Sequence, residues 1–171
     1  LRVIEGDPLE NVIKITLFYG LRLSETAGLR WENIDFENSR IYIRHTAVQV
    51  GGKIHREDKT KTKSSQRTLP LVGYTKQILE SVKAQQEEYK RLLPNNYCDE
   101  GYVFTWPDGK LLSPNYISKR FAKIIKKSNM PYIKFHELRH TATSYLISQG
   151  FTAKETQEWI GHSKISTTMD V

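Results

Sequence analysis

The chain has 171 residues, 38% of them hydrophobic and 26% charged, which excludes a disordered segment and allows a sizeable core in one ordinary domain. Its net charge of +7 at pH 7 favours a polyanionic partner, because each neutralised phosphate releases counterions. A single cysteine, Cys98, excludes an internal disulfide, and no run reaches the roughly 18 apolar residues of a membrane span.

Residues 8–20 (PLENVIKITLFYG) read as a helix: Asp7 and Pro8 supply a cap and first turn, and Leu9, Val12, Ile13, Thr16 and Leu17 recur at helical spacing. A short helix follows from Ser24, placed to cap Glu25-Thr26-Ala27. Residues 40–50 (RIYIRHTAVQV) read as one strand, turned at Gly51-Gly52 into KIHRE. After the polar loop DKTKTKSSQ a third strand is expected at 67–71. Residues 74–93 read as a long amphipathic helix with Ile78, Leu79, Val82, Tyr89, Leu92 and Leu93 inward, stopped by Pro94. Cys98 reads as a bystander in the loop that follows, and TWPDGKLLSP as a turn between a short strand and the next helix. Over 113–128, Ile117, Phe121, Ile124 and Ile125 form one stripe, and Lys119, Lys123, Lys126 and Lys127 form another. The second stripe is either a solvated face or a face laid along a nucleic-acid backbone. Helices at about 136–149 and 152–160, ended by Gly150 and Gly161, close a fold that is mostly α with a small three-stranded antiparallel sheet.

The chemistry-bearing residues cluster late. FHELRH holds Arg139 between His136 and His140, a Gly-His-Ser turn holds His162, and far upstream YGLRLSE holds Arg22. Arginine offers a permanently charged fork to phosphate oxygens, and histidine donates or carries a proton near neutral pH. Two arginines and at least two histidines from separate elements therefore suit a phosphate whose charge is growing.

GLRLSE (20–25), KTKSSQRTLPL (61–71), HELRH (136–140) and WIGHSKISTTMD (159–170) together resemble the catalytic domain of the tyrosine recombinases, the phage-type integrases, and look most like those of phages and conjugative transposons. The motifs stand in the family's order and span nearly the whole chain. The resemblance implies that Arg22 and Arg139 grip the scissile DNA phosphate, that His136 and His162 donate to it, and that Lys61 protonates the leaving 5′-oxygen. Lys59 and Lys63 lie close enough to compete for that last role. Glu25 is expected to orient the site and His140 to be a buried, hydrogen-bonded support. Lys63, Arg67, Lys119, Lys123, Lys126 and Lys127 are expected to contact DNA.

The pattern departs from the family at its end. It calls for a tyrosine soon after residue 170, yet the last of the nine tyrosines is Tyr145. With no initiator methionine at its start either, the chain is expected to be one catalytic domain cut from a longer protein, short of its nucleophile and without the family's N-terminal DNA clamp. As such it should bind DNA and not cleave it. Duplex DNA is the implied partner, four protomers the implied assembly, the cytoplasm and nucleoid of a prokaryotic cell the implied location. No cofactor or metal is implied.

HELRH also satisfies HExxH, in which two histidines one turn apart bind zinc and the glutamate activates water, with Glu155 or Glu158 as a third ligand. That reading brings Arg139 toward a cation and leaves GLRLSE and the lysine loop unused. A DNA-binding module that has kept the fold without the chemistry is the other alternative.

Overall fold

The computed structural model describes residues 2–57 and 66–162. Helix α1 (Glu10–Tyr19) buries Val12, Ile13, Ile15, Thr16 and Tyr19, more than one face of the helix, so it runs through the core rather than along it. Each fully buried aliphatic side chain of this kind contributes about 2 kcal/mol. The helix ends at Gly20, whose φ of 59° is left-handed, and a Cβ there would lie 2.1 Å from Ile160 Cδ1. Glycine thus permits both the turn and the close approach of the last helix. Helix α2 (Leu23–Ala27) starts at once, with extended Arg22 rather than Ser24 at its N-cap. Glu25, its third residue, accepts the Arg22 backbone N–H at 2.9 Å and so fixes the entry of the chain.

The strand expected over 40–50 is two strands, β2 (Arg40–Ile43) and β3 (Thr46–Val50). The ladder breaks at Arg44 and His45 because His45 turns inward, with its Nε2 3.1 Å from the Tyr102 hydroxyl, while the Arg44 guanidinium lies over the Tyr42 ring. Strand β2 pairs antiparallel with β1 (Ile34–Asp35) on one side and β5 (Arg67–Pro70) on the other, in the order β1-β2-β5. Ile41 faces Ile34 across one ladder and Leu69 across the other. The sheet is three-stranded as expected, but it excludes the hairpin of β3 with β4 (Lys53–Glu57), which stands by itself.

Helix α3 (Gly73–Leu92) buries Thr75, Leu79, Val82 and Gln86. Leu92, expected inward, is 65% exposed. Thirteen residues beyond Leu79 at 100° each, it is turned roughly 220° from the buried stripe. Gln86 takes a core position by spending every polar atom: its amide donates to the carbonyls of Tyr102 and Val103 and to Thr105, and its oxygen accepts from the Trp31 indole at 2.7 Å. Helix α4 (Pro114–Lys127) starts where Ser113 accepts the Tyr116 N–H, and it buries Ile117, Phe121, Ile124 and Ile125 as the spacing predicts. Helices α5 (Glu137–Ser148) and α6 (Ala153–Ile160) close the described chain, α5 packing against α1 and α6. An apolar groove of about 560 Å³, walled by Phe18, Tyr145, Leu146, Phe151 and Trp159, lies where these three helices meet. Among the described residues no helix is long and apolar enough to cross a membrane.

Candidate phosphate-binding site

Arg22 sits at the joint between α1 and α2, so its side chain leaves from a fixed turn. Its Nη1 donates to Glu25 Oε1 at 2.7 Å and its Nη2 to the Gly161 carbonyl at 2.9 Å, while its side chain stays 35% exposed. Arg139 reaches the same place from α5. Leu138, Arg139, Ala142, Thr143 and Leu146 form that helix's inward face, which carries the arginine into the core at 2% exposure. Its Nη1 donates to the Gly20 carbonyl at 2.7 Å, and its Nη2 is buried with no hydrogen-bond partner among the described residues. Gly20 and Gly161 are themselves brought together by Ile160, so both guanidinium groups are anchored on one pair of adjoining turns.

Helix α6 is capped by Thr152 with Glu155 and ends at left-handed Gly161, φ 77°. The next residue, His162, is 8% exposed and is held by its backbone, which donates to the Gln157 carbonyl and accepts from the Gln157 amide. His136, the N-cap of α5, and His140 on its first turn are both exposed, their ring centroids 5.2 Å apart and edge to face.

The charges bear on one another as they must in a single pocket. Burial, then the nearby Arg22 charge, pushes the Arg139 guanidinium down from its ordinary value to about 9, with Glu25 partly offsetting them and Arg67 adding to them. Burial and the charges of Arg139 and Arg22 push the His162 imidazole down to about 4. His136 is lowered by burial, His140, Arg139 and Arg22 in that order. Both histidines are therefore mostly neutral near pH 7 while Arg139 remains charged. Such a pocket has donors and positive charge in excess, and an anion would relieve both.

Among the described residues Glu25 is the acid that these arginines share, 1% exposed. Burial alone would raise its carboxyl, but Arg67 and then Arg22 hold it below its ordinary value. Oε1 accepts from Arg22 and Arg67, and Oε2 accepts from the Arg22 backbone and Arg67. Glu25 thus ties Arg22 to Arg67.

Two expectations are corrected. Arg67 does not face solvent or a DNA backbone: its side chain is 6% exposed, it grips both Glu25 oxygens, and its Nε donates to the Trp159 carbonyl at 2.8 Å. His140 is not a buried support but is exposed beside His136, because the inward face of α5 is already taken by Leu138, Arg139 and Ala142. Lys119, Lys123, Lys126 and Lys127 are exposed on α4, which suits a solvated face and a backbone-binding face alike. Lys61 and its neighbours Lys59 and Lys63 lie outside the described residues. The zinc reading loses its third ligand, since Glu155 is engaged in the Thr152 cap and Glu158 is exposed. Among the described residues no three side chains of metal-binding type are grouped to hold an ion. Sequence reasoning also missed the Gly161 carbonyl as an anchor for Arg22, for which the chain carries no local signal.

Known proteins resemble this chain over most of its length. Residues 7–170 match the model of the phage integrase family. A "tyrosine recombinase XerC-like" protein of Caldanaerobacter subterraneus subsp. tengcongensis is 32% identical over 98% of this chain. The transposase from transposon Tn916 of Enterococcus faecalis is 32% identical over 92% of it. The chain spans 46% and 40% of the length of these two relatives. The Tn1549 transposon integrase, solved in complex with transposon right end DNA, superposes with a TM-score of 0.82 at 26% identity, over 99% of this chain and 56% of that one.

Proposed function

The chain belongs to the phage integrase family, and from that premise we propose that it is the catalytic domain of a tyrosine recombinase that cuts and rejoins duplex DNA at specific sites. The observation that carries the reading is the buried Nη2 of Arg139, which has no partner among the described residues and is held near the Arg22 charge. Nothing in a stable fold rewards that arrangement until an anion arrives.

In this reading Arg22 and Arg139 hold the non-bridging oxygens of the scissile phosphate. A tyrosine beyond residue 171 attacks phosphorus, and neutral His136, exposed at the N-cap of α5, takes its proton. His162 donates a hydrogen bond to a phosphate oxygen. The P–O5′ bond breaks, Lys61 gives its proton to the departing oxygen, and a 3′-phosphotyrosyl link keeps the bond energy for rejoining. Charge on the phosphoryl oxygens grows toward the pentacoordinate transition state, so each preorganised cationic donor lowers the barrier by on the order of 3 kcal/mol. The arginines supply the charge a metal ion would otherwise supply, and a chelator should leave the rate unchanged. The lysines of α4 lie along the DNA backbone, and four protomers act on two sites.

The test is a suicide duplex offered to a chain carried past Val171 to its tyrosine, with a covalent protein–DNA band as the readout. Arg22→Ala or Arg139→Ala should abolish the band and leave duplex affinity within a few-fold. Lys61→Ala should be rescued by a 5′-thiolate leaving group; without rescue, Lys59 or Lys63 holds the role. The 171-residue chain should bind and give no band. Binding without any band from the longer chain would leave a DNA-binding module.

A further inference from the structure

We propose that Arg67 is a positioning residue for the cleavage step, acting through Glu25 to keep the Arg22 fork and the Gly161–His162 turn aimed at the phosphate. The inference rests on the recombinase reading and adds a residue that touches neither DNA nor the reacting atoms.

Three elements meet at this one side chain. Arg67 leaves β5, binds both oxygens of Glu25 on α2 at 3.1 and 3.0 Å, and donates its Nε to the carbonyl of Trp159 at the end of α6. Gly161 packs directly on it, since a Cβ there would come within 2.9 Å of Arg67 Nη1 and 3.1 Å of its Cδ. Arg22 takes hold of the same turn through the Gly161 carbonyl. Two arginines therefore clamp α6 at carbonyls 159 and 161, immediately ahead of His162.

The division of labour on Glu25 gives the clamp its purpose. A buried carboxylate needs several donors, and here Arg67 fills the places that Arg22 does not. Arg22 consequently gives one nitrogen to Glu25 and one to Gly161, and about a third of its side chain stays exposed among the described residues. Without Arg67, Glu25 would face Arg22 and Arg139 alone, the two cations whose charge already acts with it in the pocket. The carboxylate would then draw a phosphate-binding fork onto itself. The near-total burial of Arg67 leaves it no route to DNA.

The experiment uses the longer chain with its tyrosine, single-turnover cleavage of a suicide duplex, and duplex Kd measured in parallel. Absence of a covalent band from the unsubstituted protein would overturn the functional reading itself; the comparison of variants concerns Arg67 alone. Arg67→Met should slow cleavage on the order of 100-fold, the penalty of a misplaced reactive geometry, with Kd within about 3-fold. Guanidinium chloride should restore cleavage to Arg67→Ala. The double variant Glu25→Gln/Arg67→Met should be no slower than Arg67→Met. Should Arg67→Met fail to fold, Arg67→Lys carries the test, since it keeps the charge and loses the two-pronged grip; it should show the same loss in rate at unchanged Kd. A Kd that weakens in step with the rate, multiplying losses in the double variant, or a rate within about 3-fold of the unsubstituted protein would each overturn the proposal.

Discussion

Replacing Arg139 with methionine should make the free protein more stable while removing its grip on phosphate. The fall of the guanidinium from its ordinary value to about 9 corresponds, at about 1.4 kcal/mol per pH unit, to on the order of 5 kcal/mol spent on keeping the charge buried. Methionine fills a similar unbranched volume with no charge, and what it gives up is the Gly20 hydrogen bond, whose orphaned carbonyl costs about 1–3 kcal/mol. The net gain is on the order of 2 kcal/mol, in line with other buried charges exchanged for apolar groups. For a chain of this size that is a rise in Tm of about 4–8 °C. The assay is a thermal melt in a buffer free of phosphate and sulfate, repeated with added sulfate. Sulfate should raise the Tm of the unsubstituted protein by mass action and raise that of Arg139→Met less. A variant less stable than its parent, or an equal sulfate response in both, would refute the argument that this charge waits for an anion.

His162 in the free protein should titrate near 4, well below the ordinary 6.5, as followed by NMR of its ring protons. Because the folded value lies below the unfolded one, the stability owed to neutral His162 is complete above pH 6.5 and is lost as pH falls from there toward 4. Binding of duplex DNA should raise the value, since a phosphate offsets the charges of Arg139 and Arg22; a resonance that ignores DNA would remove His162 from the site. Changing Lys119, Lys123, Lys126 and Lys127 together to alanine should flatten the log–log dependence of DNA affinity on salt by about 0.9 for each phosphate they hold. An unchanged slope would return that face of α4 to solvent. Gln86→Leu should cost about 3 kcal/mol in urea denaturation, because it strands the Trp31 indole and removes a donor shared by two carbonyls. A loss under about 1 kcal/mol would mean that those groups find other partners.

The helices were legible because their periodic stripes survive in the fold. Ile117, Phe121, Ile124 and Ile125 are buried on α4 as their spacing demands, and glycines 20 and 161 end helices in the left-handed region. Strand limits were less so. Nothing in RIYIRHTAVQV says that His45 will turn inward to meet Tyr102, 57 positions away, and break the ladder. Leu92 shows that apolarity alone does not set a side chain inward when its angle on the helix is wrong.

Read alone, the chain marks out Arg22, His136, Arg139 and His162 as partners for one phosphate, because each stands in a short pattern whose residue types suit that chemistry, and its composition points to a polyanion. Local periodicity can say which face of a helix a residue occupies, but not what another element presents to that face. Only the tertiary structure could therefore turn Arg67 away from DNA and onto Glu25, 42 residues earlier, or leave His140 in the open. The same holds for the anchors of the two forks. Arg22 reaches a carbonyl 139 residues away and Arg139 one 119 residues away, and the buried nitrogen that has no partner among the described residues exists only once those distances have closed.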